Sequence, residues 1–256
     1  MVKKIRLDSG LSEHLVKNAL GSYVDEEHVA TLISGEPTDV YLPDGSLLLR
    51  YRPGVLNPKV CKAARVALRG VGKQFSTYRM IHSGSIGYNA KGNPNGPNGV
   101  RCHKSHFTRS NFNKWFNALP FIRALDSAYR EYAPGYYRLQ KEVIDQTNPN
   151  YRISDTVFTT GTANMWDLLH DSRTPLHYDT QNHSDGLGVL SVLSTGDYTG
   201  GHLVFYKWGV AVDMRTTDVL LADTKHHAHG NTDINLCIGH ERLCTILYYK
   251  QLMQHC

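Results

Sequence analysis

The chain has 256 residues, 41% hydrophobic, with 28 Lys and Arg against 23 Asp and Glu and a formal net charge of +5. That length is enough to bury one good core, and nothing in the sequence resembles an internal repeat or a second domain. The expectation is therefore a single domain over residues 1–256, with a basic, helix-containing part to 145 and a catalytic core over 146–256. No apolar run of about 18 residues occurs, and Met1-Val-Lys-Lys-Ile-Arg6 leads into no apolar segment, which argues against a membrane span and a secretory leader. Five Cys, at 61, 102, 237, 244 and 256, are odd in number and lack Cys-x-x-Cys spacing. They suit reduced intracellular thiols better than a disulfide framework or a structural zinc site.

In chain order, Asp25–Ser34 reads as a short acidic helix, and Asp39–Arg52 as a hairpin turning at Pro43-Asp-Gly45. Pro58–Arg69 is a helix whose Lys59, Lys62, Arg65 and Arg69 recur at three- and four-residue steps, opposite Val60, Ala64 and Leu68. Lys91-Gly-Asn-Pro-Asn-Gly-Pro-Asn-Gly99 is a loop, either plain surface or a flap that orders on nucleic acid between Lys91 and Arg101. Asn111–Tyr132 carries Phe112, Trp115, Phe116, Leu119, Ile122, Leu125 and Tyr129 near helical spacing, a core-facing helix pair broken at Pro120. Tyr132–Tyr137 is richer in Tyr than a core needs, so one or two should line a substrate cleft. Thr156–Asn164 is rich in β-formers, and Asn164 is a candidate support for a metal shell.

The chemistry concentrates further on. His177-Tyr-Asp179 places an imidazole and a carboxylate at i and i+2, on one face of an extended strand. With one distant imidazole they make the two-His, one-carboxylate facial triad of a non-haem Fe(II) site, its opposite face open to co-substrate and O₂. Lys225-His-His-Ala-His229 offers the third ligand. His227 and His229 share a face if extended, and His229 is favoured because Gly230-Asn231 lets the chain turn and leave room. His227 is then a substrate-side or rim residue.

Around the triad, Leu187–Leu193, His202–Tyr206, Val210–Met214, Val219–Asp223 and Arg242–Tyr249 read as strands separated by turns. Their spacing predicts an α+β, mainly β fold: a double-stranded β-helix or jelly roll braced by N-terminal helices. Arg242 opens the last strand among apolar neighbours, where its planar fork can clamp a carboxylate.

Charge is segregated. Residues 50–141 hold 17 Lys and Arg against two acids, a net +15, while the remainder holds 11 against 21. Such a half suits a polyanion, and Lys59, Lys62, Arg65, Arg69, Arg101 and Lys104 are its candidate nucleic-acid contacts.

His177-Tyr-Asp179-x-x-Asn182, Gly188-Val-Leu-Ser-Val-Leu, Tyr198-Thr-Gly-Gly-His-Leu-Val-Phe205, His229-Gly-Asn-Thr and Glu241-Arg242 together resemble the TET/JBP family. Ser85-Ile-Gly-Tyr88 and Cys102-x-x-x-x-Phe107-Thr108 extend the resemblance upstream. It implies an Fe(II)- and 2-oxoglutarate-dependent dioxygenase, consuming O₂ and oxidising the 5-methyl group of a DNA pyrimidine, here 5-methylcytosine. His177, Asp179 and His229 become the iron ligands, Arg242 the holder of the distal 2-oxoglutarate carboxylate, and Asn182 the residue that hydrogen-bonds the flipped base. His183 and Asp185 are neighbouring substrate candidates. Two departures stand out. Cys244 replaces the hydroxyl often found two after the arginine; Thr245, the nearest hydroxyl, is the candidate co-substrate contact in its place, although alternation should turn it to the other face. His103 occupies the place of an arginine after Cys102. Two rival readings are an oxygenase acting on thymine, a small molecule or a protein side chain, and a non-catalytic DNA-binding jelly roll. The complete triad with Arg242 argues against the second, and the basic half argues against a small metabolite.

Overall fold

A computed structural model of the chain describes residues 1–256 apart from 73, 74, 77–80, 148, 168, 171 and 237, and only the backbone of 72, 75, 76, 149 and 236. Lys73, Arg79 and Cys237, counted above, thus lie outside the described residues. Gly188–Thr195 and Glu241–Tyr248 are buried almost throughout and pair as central strands, because near-continuous burial suits a sheet covered on both faces. Among the described residues the larger sheet has ten strands. Its order runs Lys3–Arg6, Thr38–Tyr41, Leu47–Arg52, Val219–Ala222, Gly188–Thr195, Glu241–Tyr248, Thr160–Trp166, Ile81–Gly92, Phe75–Ser76, with Val100–Lys104 hairpinned onto Ile81–Gly92. A smaller sheet of four strands has the order His229–Asn231, Leu203–Phe205, Val210–Val212, Thr31–Ile33. Leu190, Val192 and Leu220 from the larger sheet pack on Leu203, Phe205 and Val212 of the smaller, giving the two-layer jelly roll. Six of the ten strands of the larger sheet come from residues 1–145, so the N-terminal part is built into the same sheet as the later strands.

Helices cover the outer face of the larger sheet. Pro58–Gly72 starts with Pro at its first position and an Asn57 side chain accepting from the Lys59 N–H. It buries Cys61, Ala64, Ala67, Leu68 and Val71, a stripe at helical spacing. Phe112–Tyr132 is one continuous helix, not the expected pair. Pro120 removes only the bond to the Phe116 carbonyl, and both residues face water, which satisfies the freed group. That same face leaves Phe112 and Phe116 69% and 62% exposed, contrary to their expected burial; the helix buries Phe121, Ile122, Leu125 and Tyr129 instead.

Three other expectations need correction. Asp25–Ser34 is not a helix: a 3₁₀ turn at Glu26–His28 precedes the strand Thr31–Ile33, whose β-branched residues pair in parallel with Val210–Val212. The five cysteines are not all free thiols. Cys102 and Cys256 form a disulfide, because folding brings the hairpin strand and the C-terminal 3₁₀ helix together; Cys61 and Cys244 are free and buried. Tyr132 and Tyr137 do not line a cleft: Tyr132 lies under the Arg52 guanidinium and Tyr137 donates to the buried Asp126.

Gly161 sits mid-sheet, where a Cβ would lie 2.5 Å from Leu247 Cδ2, 2.8 Å from Ile86 Cγ1 and 2.9 Å from a backbone carbonyl. Gly161→Ala should destabilise the fold by about 1–3 kcal/mol, measured by denaturant unfolding.

Candidate metal centre and co-substrate cavity

His177 and His229 face each other across a reciprocal backbone pair, each N–H donating to the other's carbonyl at 2.9 Å. Such a pair sets two side chains on one side of the ladder at close range. Two residues on, Asp179 returns to the same face, its N–H donating to the Thr224 carbonyl at 3.0 Å. The imidazoles are oriented alike. His177 Nδ1–H donates to the Pro175 carbonyl at 2.8 Å and His229 Nδ1–H to the His227 carbonyl at 3.0 Å. A carbonyl only accepts, so both rings carry the proton on Nδ1 and turn a bare Nε2 inward. Those Nε2 atoms lie 3.5 and 3.7 Å from the two carboxylate oxygens of Asp179. All three ligand atoms fall within 4.8 Å of one another, and no other group of three such residues does so among the described residues. Two neutral imidazoles and a carboxylate on one side of a point suit a divalent first-row metal with open positions opposite.

Gly230 has a different role from the sharp turn expected. His229–Asn231 is a strand, and a Cβ at Gly230 would stand 3.1 Å from the Thr174 carbonyl. The glycine lets the His177 segment come close enough to pair.

The triad opens into a cavity of about 410 Å³ between the sheets. The larger sheet contributes Ser83, Asn89, Thr162, Asn164, Leu190, Cys244, Ile246 and Tyr248, and the smaller Leu203, His229 and Asn231. On the last strand Arg242, Cys244, Ile246 and Tyr248 alternate onto this inner face, so Arg242 points inward one pleat beyond the lining. Arg242 is 1% exposed. Its Nη2 donates to the Gly201 carbonyl at 3.1 Å, but Nε and Nη1 are buried with no acceptor. Trp166 and Tyr198 hold the guanidinium between them, their ring centroids 4.9 and 5.4 Å away, and the Trp166 Nε1 is another buried donor without an acceptor. Leaving such donors unpaired is costly, and a charged one more so. Three orphaned donors around one buried cation are the complement of a carboxylate.

The family model Tet_JBP, described as the oxygenase domain of the 2OGFeDO superfamily, matches residues 85–251. The chain belongs to the Tet_JBP family. It is 31% identical over 207 residues to the bifunctional helicase and thymine dioxygenase JBP2 of Leishmania tarentolae, covering 78% of this chain and 18% of that protein. It is 31% identical over 154 residues to the thymine dioxygenase JBP1 of Trypanosoma brucei brucei, covering 59% of this chain and 17% of that protein. The chain thus spans under a fifth of these relatives' length. The solved structure of NgTET1 in complex with 5mC DNA has the same fold, with a TM-score of 0.61, 14% identity, and 95% of this chain and 93% of that one covered. As a Tet_JBP dioxygenase, the protein uses Fe(II), 2-oxoglutarate and O₂. The inward Nε2 atoms fit the metal, and the orphaned donors around Arg242 fit the dicarboxylate.

Not every candidate converges on the cavity. Asn164 lines it and accepts from Ser83 Oγ at 2.7 Å. Thr245 does not: it lies on the opposite face and donates to the Ser191 carbonyl. Asn182 is buried and does not line this cavity: its Nδ2 donates to Thr224 Oγ1 at 3.2 Å, and it lines a neighbouring cavity together with His177 and Asp179. His183 packs edge-on against Tyr249, burial holding its pKa below the usual range, while Asp185 is exposed. His227 turns to Trp208, whose Nε1 donates to it, and burial again lowers its pKa. None of these four reaches the cavity.

Of the basic stripe, Arg65 and Arg69 converge on the buried carboxylate of Glu241, Arg69 Nε at 2.7 Å. A buried carboxylate needs that counter-charge, so these two brace helix to sheet and leave Lys59 and Lys62 exposed. Arg101 and Lys104 are exposed on the hairpin strand, where His103 reaches the cavity mouth. Sequence reasoning missed Trp166 and Asn89, and it noted Tyr198 and His103 without placing the first against Arg242 or the second at the mouth. Only the fold brings these pairs together.

His177→Ala, Asp179→Ala and His229→Ala should each drop iron per chain to near zero by metal analysis, while His226→Ala and His227→Ala retain it. Arg242→Lys keeps the charge but loses the fork; the 2-oxoglutarate KM should rise at least tenfold, about 1.4 kcal/mol, with iron content unchanged.

Proposed function

We propose that this dioxygenase oxidises the 5-methyl group of a pyrimidine in DNA, inside the cell where its substrate is found. The observation that carries this reading is one cavity with a His/Asp/His cluster, a buried arginine with orphaned donors deeper in, and polar residues at its mouth. His177, Asp179 and His229 hold the iron; Arg242 and Trp166 take the distal carboxylate of 2-oxoglutarate. Bound iron supplies the O₂ activation that couples 2-oxoglutarate decarboxylation to hydroxylation. Leu190, Leu203 and Ile246 keep the reaction zone apolar. Burial raises the Cys244 thiol pKa, so it stays neutral beside Arg242 and lines the wall without adding charge.

A methyl group stacked in a duplex cannot enter a cavity between two sheets, so the nucleotide flips out, at a cost of a few kcal/mol offset by pocket contacts. With Asn182 engaged elsewhere, Asn89 and His103 take its place as readers of the base edge. They are cross-strand partners at the mouth, and the Asn89 amide offers both donor and acceptor.

The relatives near 30% identity are named for thymine, which favours thymine; the NgTET1 structure holds 5mC DNA, which supports the second reading, 5-methylcytosine. Incubation with Fe(II), 2-oxoglutarate and either unmodified or cytosine-methylated DNA, followed by nucleoside mass spectrometry, separates them. Hydroxymethyluracil from unmodified DNA is the expected product, and hydroxymethylcytosine alone would favour the second reading. Absence of both, with 2-oxoglutarate turned over on another substrate, would overturn the proposal. Asn89→Ala should cut modified nucleoside tenfold to a hundredfold, about 1–3 kcal/mol, while DNA-independent succinate formation persists; Asn182→Ala should leave both unchanged.

A further inference from the structure

Beside the cavity mouth runs a second groove. One wall is the hairpin Ile81–Gly92/Val100–Lys104, and the other is the chain end from Lys250 through the 3₁₀ helix Gln251–His255. Asn89 and His103 line both groove and cavity, so the two are continuous. Lys91, Lys250, His103 and His255 line the groove, and no acidic side chain does. The disulfide from Cys102 to Cys256 ties the two walls together across 154 residues of sequence.

Two features of this groove are unfavourable as they stand. Lys91 and Arg101 are directly opposed in the hairpin register, where like charges repel, and neither has an ion-pair or hydrogen-bond partner among the described residues. Lys250 is half-buried at the end of the last strand, its ammonium likewise without a partner there, and burial lowers its pKa. Lys91 and Lys250 line the groove, and Arg101 stands beside it as the cross-strand partner of Lys91; an anion along the groove would offset the charge of all three.

We propose that the groove binds the DNA backbone flanking the flipped nucleotide, with Lys91, Arg101 and Lys250 contacting its phosphates. The proposal rests on the DNA reading above and adds where the strand runs. Phosphates on both groove walls hold the nucleotide at the mouth, so the base can swing inward past Asn89 and His103. The C-terminal segment thereby becomes part of the substrate-binding surface, a role that no iron or co-substrate residue has.

The test measures DNA affinity against salt for the wild type, for Lys91→Gln/Arg101→Gln, and for the triple variant that adds Lys250→Gln. Both hairpin residues are exposed, so the double variant leaves the core untouched; iron and 2-oxoglutarate binding verify the folded state of the triple. Each lost phosphate contact flattens the log–log salt slope by about 0.7–0.9, so the double variant should lose roughly 1.5 and the triple roughly 2–3, equally on all sequences. Slopes matching the wild type, on a wild type that binds and modifies DNA, would overturn the groove assignment alone. A wild type that neither binds nor modifies DNA would overturn the function reading, and the groove with it.

Discussion

Everything chemical in this protein depends on two backbone hydrogen bonds between His177 and His229. They join a segment leaving the larger sheet to the edge strand of the smaller one, and so set the distance between two imidazoles that are far apart in sequence. Local carbonyls then fix each ring with its proton on Nδ1, so the ligand atoms Nε2 face Asp179. The site is preorganised by main chain, the stiffest part of the molecule. Gly230 is required for the same reason, since any side chain there would hold the two segments apart.

The second constraint is the charge of Arg242. Burying a guanidinium is tolerable only with partners, and this one is held between two aromatic rings with two donors unmet. The strand that carries it also carries Glu241 on the other face, where Arg65 and Arg69 close on the carboxylate and pin the helix Pro58–Gly72 to the sheet. Adjacent residues of opposite charge therefore serve opposite faces: Glu241 fastens the bracing layer, and Arg242 turns its guanidinium into the sandwich. The basic half of the chain is divided in the same way, part of it internal bracing and part of it exposed toward the groove beside the cavity.

Much of this was legible in the sequence because it is local. The i, i+2 spacing of His177 and Asp179 needs only extended backbone, which the isolated bridge at His177 supplies, and alternation turns Arg242 inward; the same alternation rules out Thr245 as the co-substrate contact it was expected to be. The strand series after Asp179 was readable from its turns. What escaped depends on distant partners. The family resemblance makes Asn182 a base reader, but in the fold its amide donates to Thr224 Oγ1. Thr31–Ile33 becomes a strand because Val210–Val212 offers an edge, which no window of local sequence contains. Pro120 would break an isolated helix, and is tolerated here because the freed carbonyl meets water. The pairing of Cys102 with Cys256 is likewise a product of the fold, so an intracellular location rests on the DNA substrate and not on the cysteines.

The central claim is that the metal triad and Arg242 hold one co-substrate between them. It is tested most directly by equilibrium binding of 2-oxoglutarate under anaerobic conditions, with and without Fe(II). If one molecule spans both, 2-oxoglutarate binds at one equivalent per chain, at least tenfold tighter with the metal present, and the co-substrate tightens the metal by the same factor. Affinities for 2-oxoglutarate that are equal in the loaded and metal-free protein would contradict it, and would separate Arg242 from the iron site.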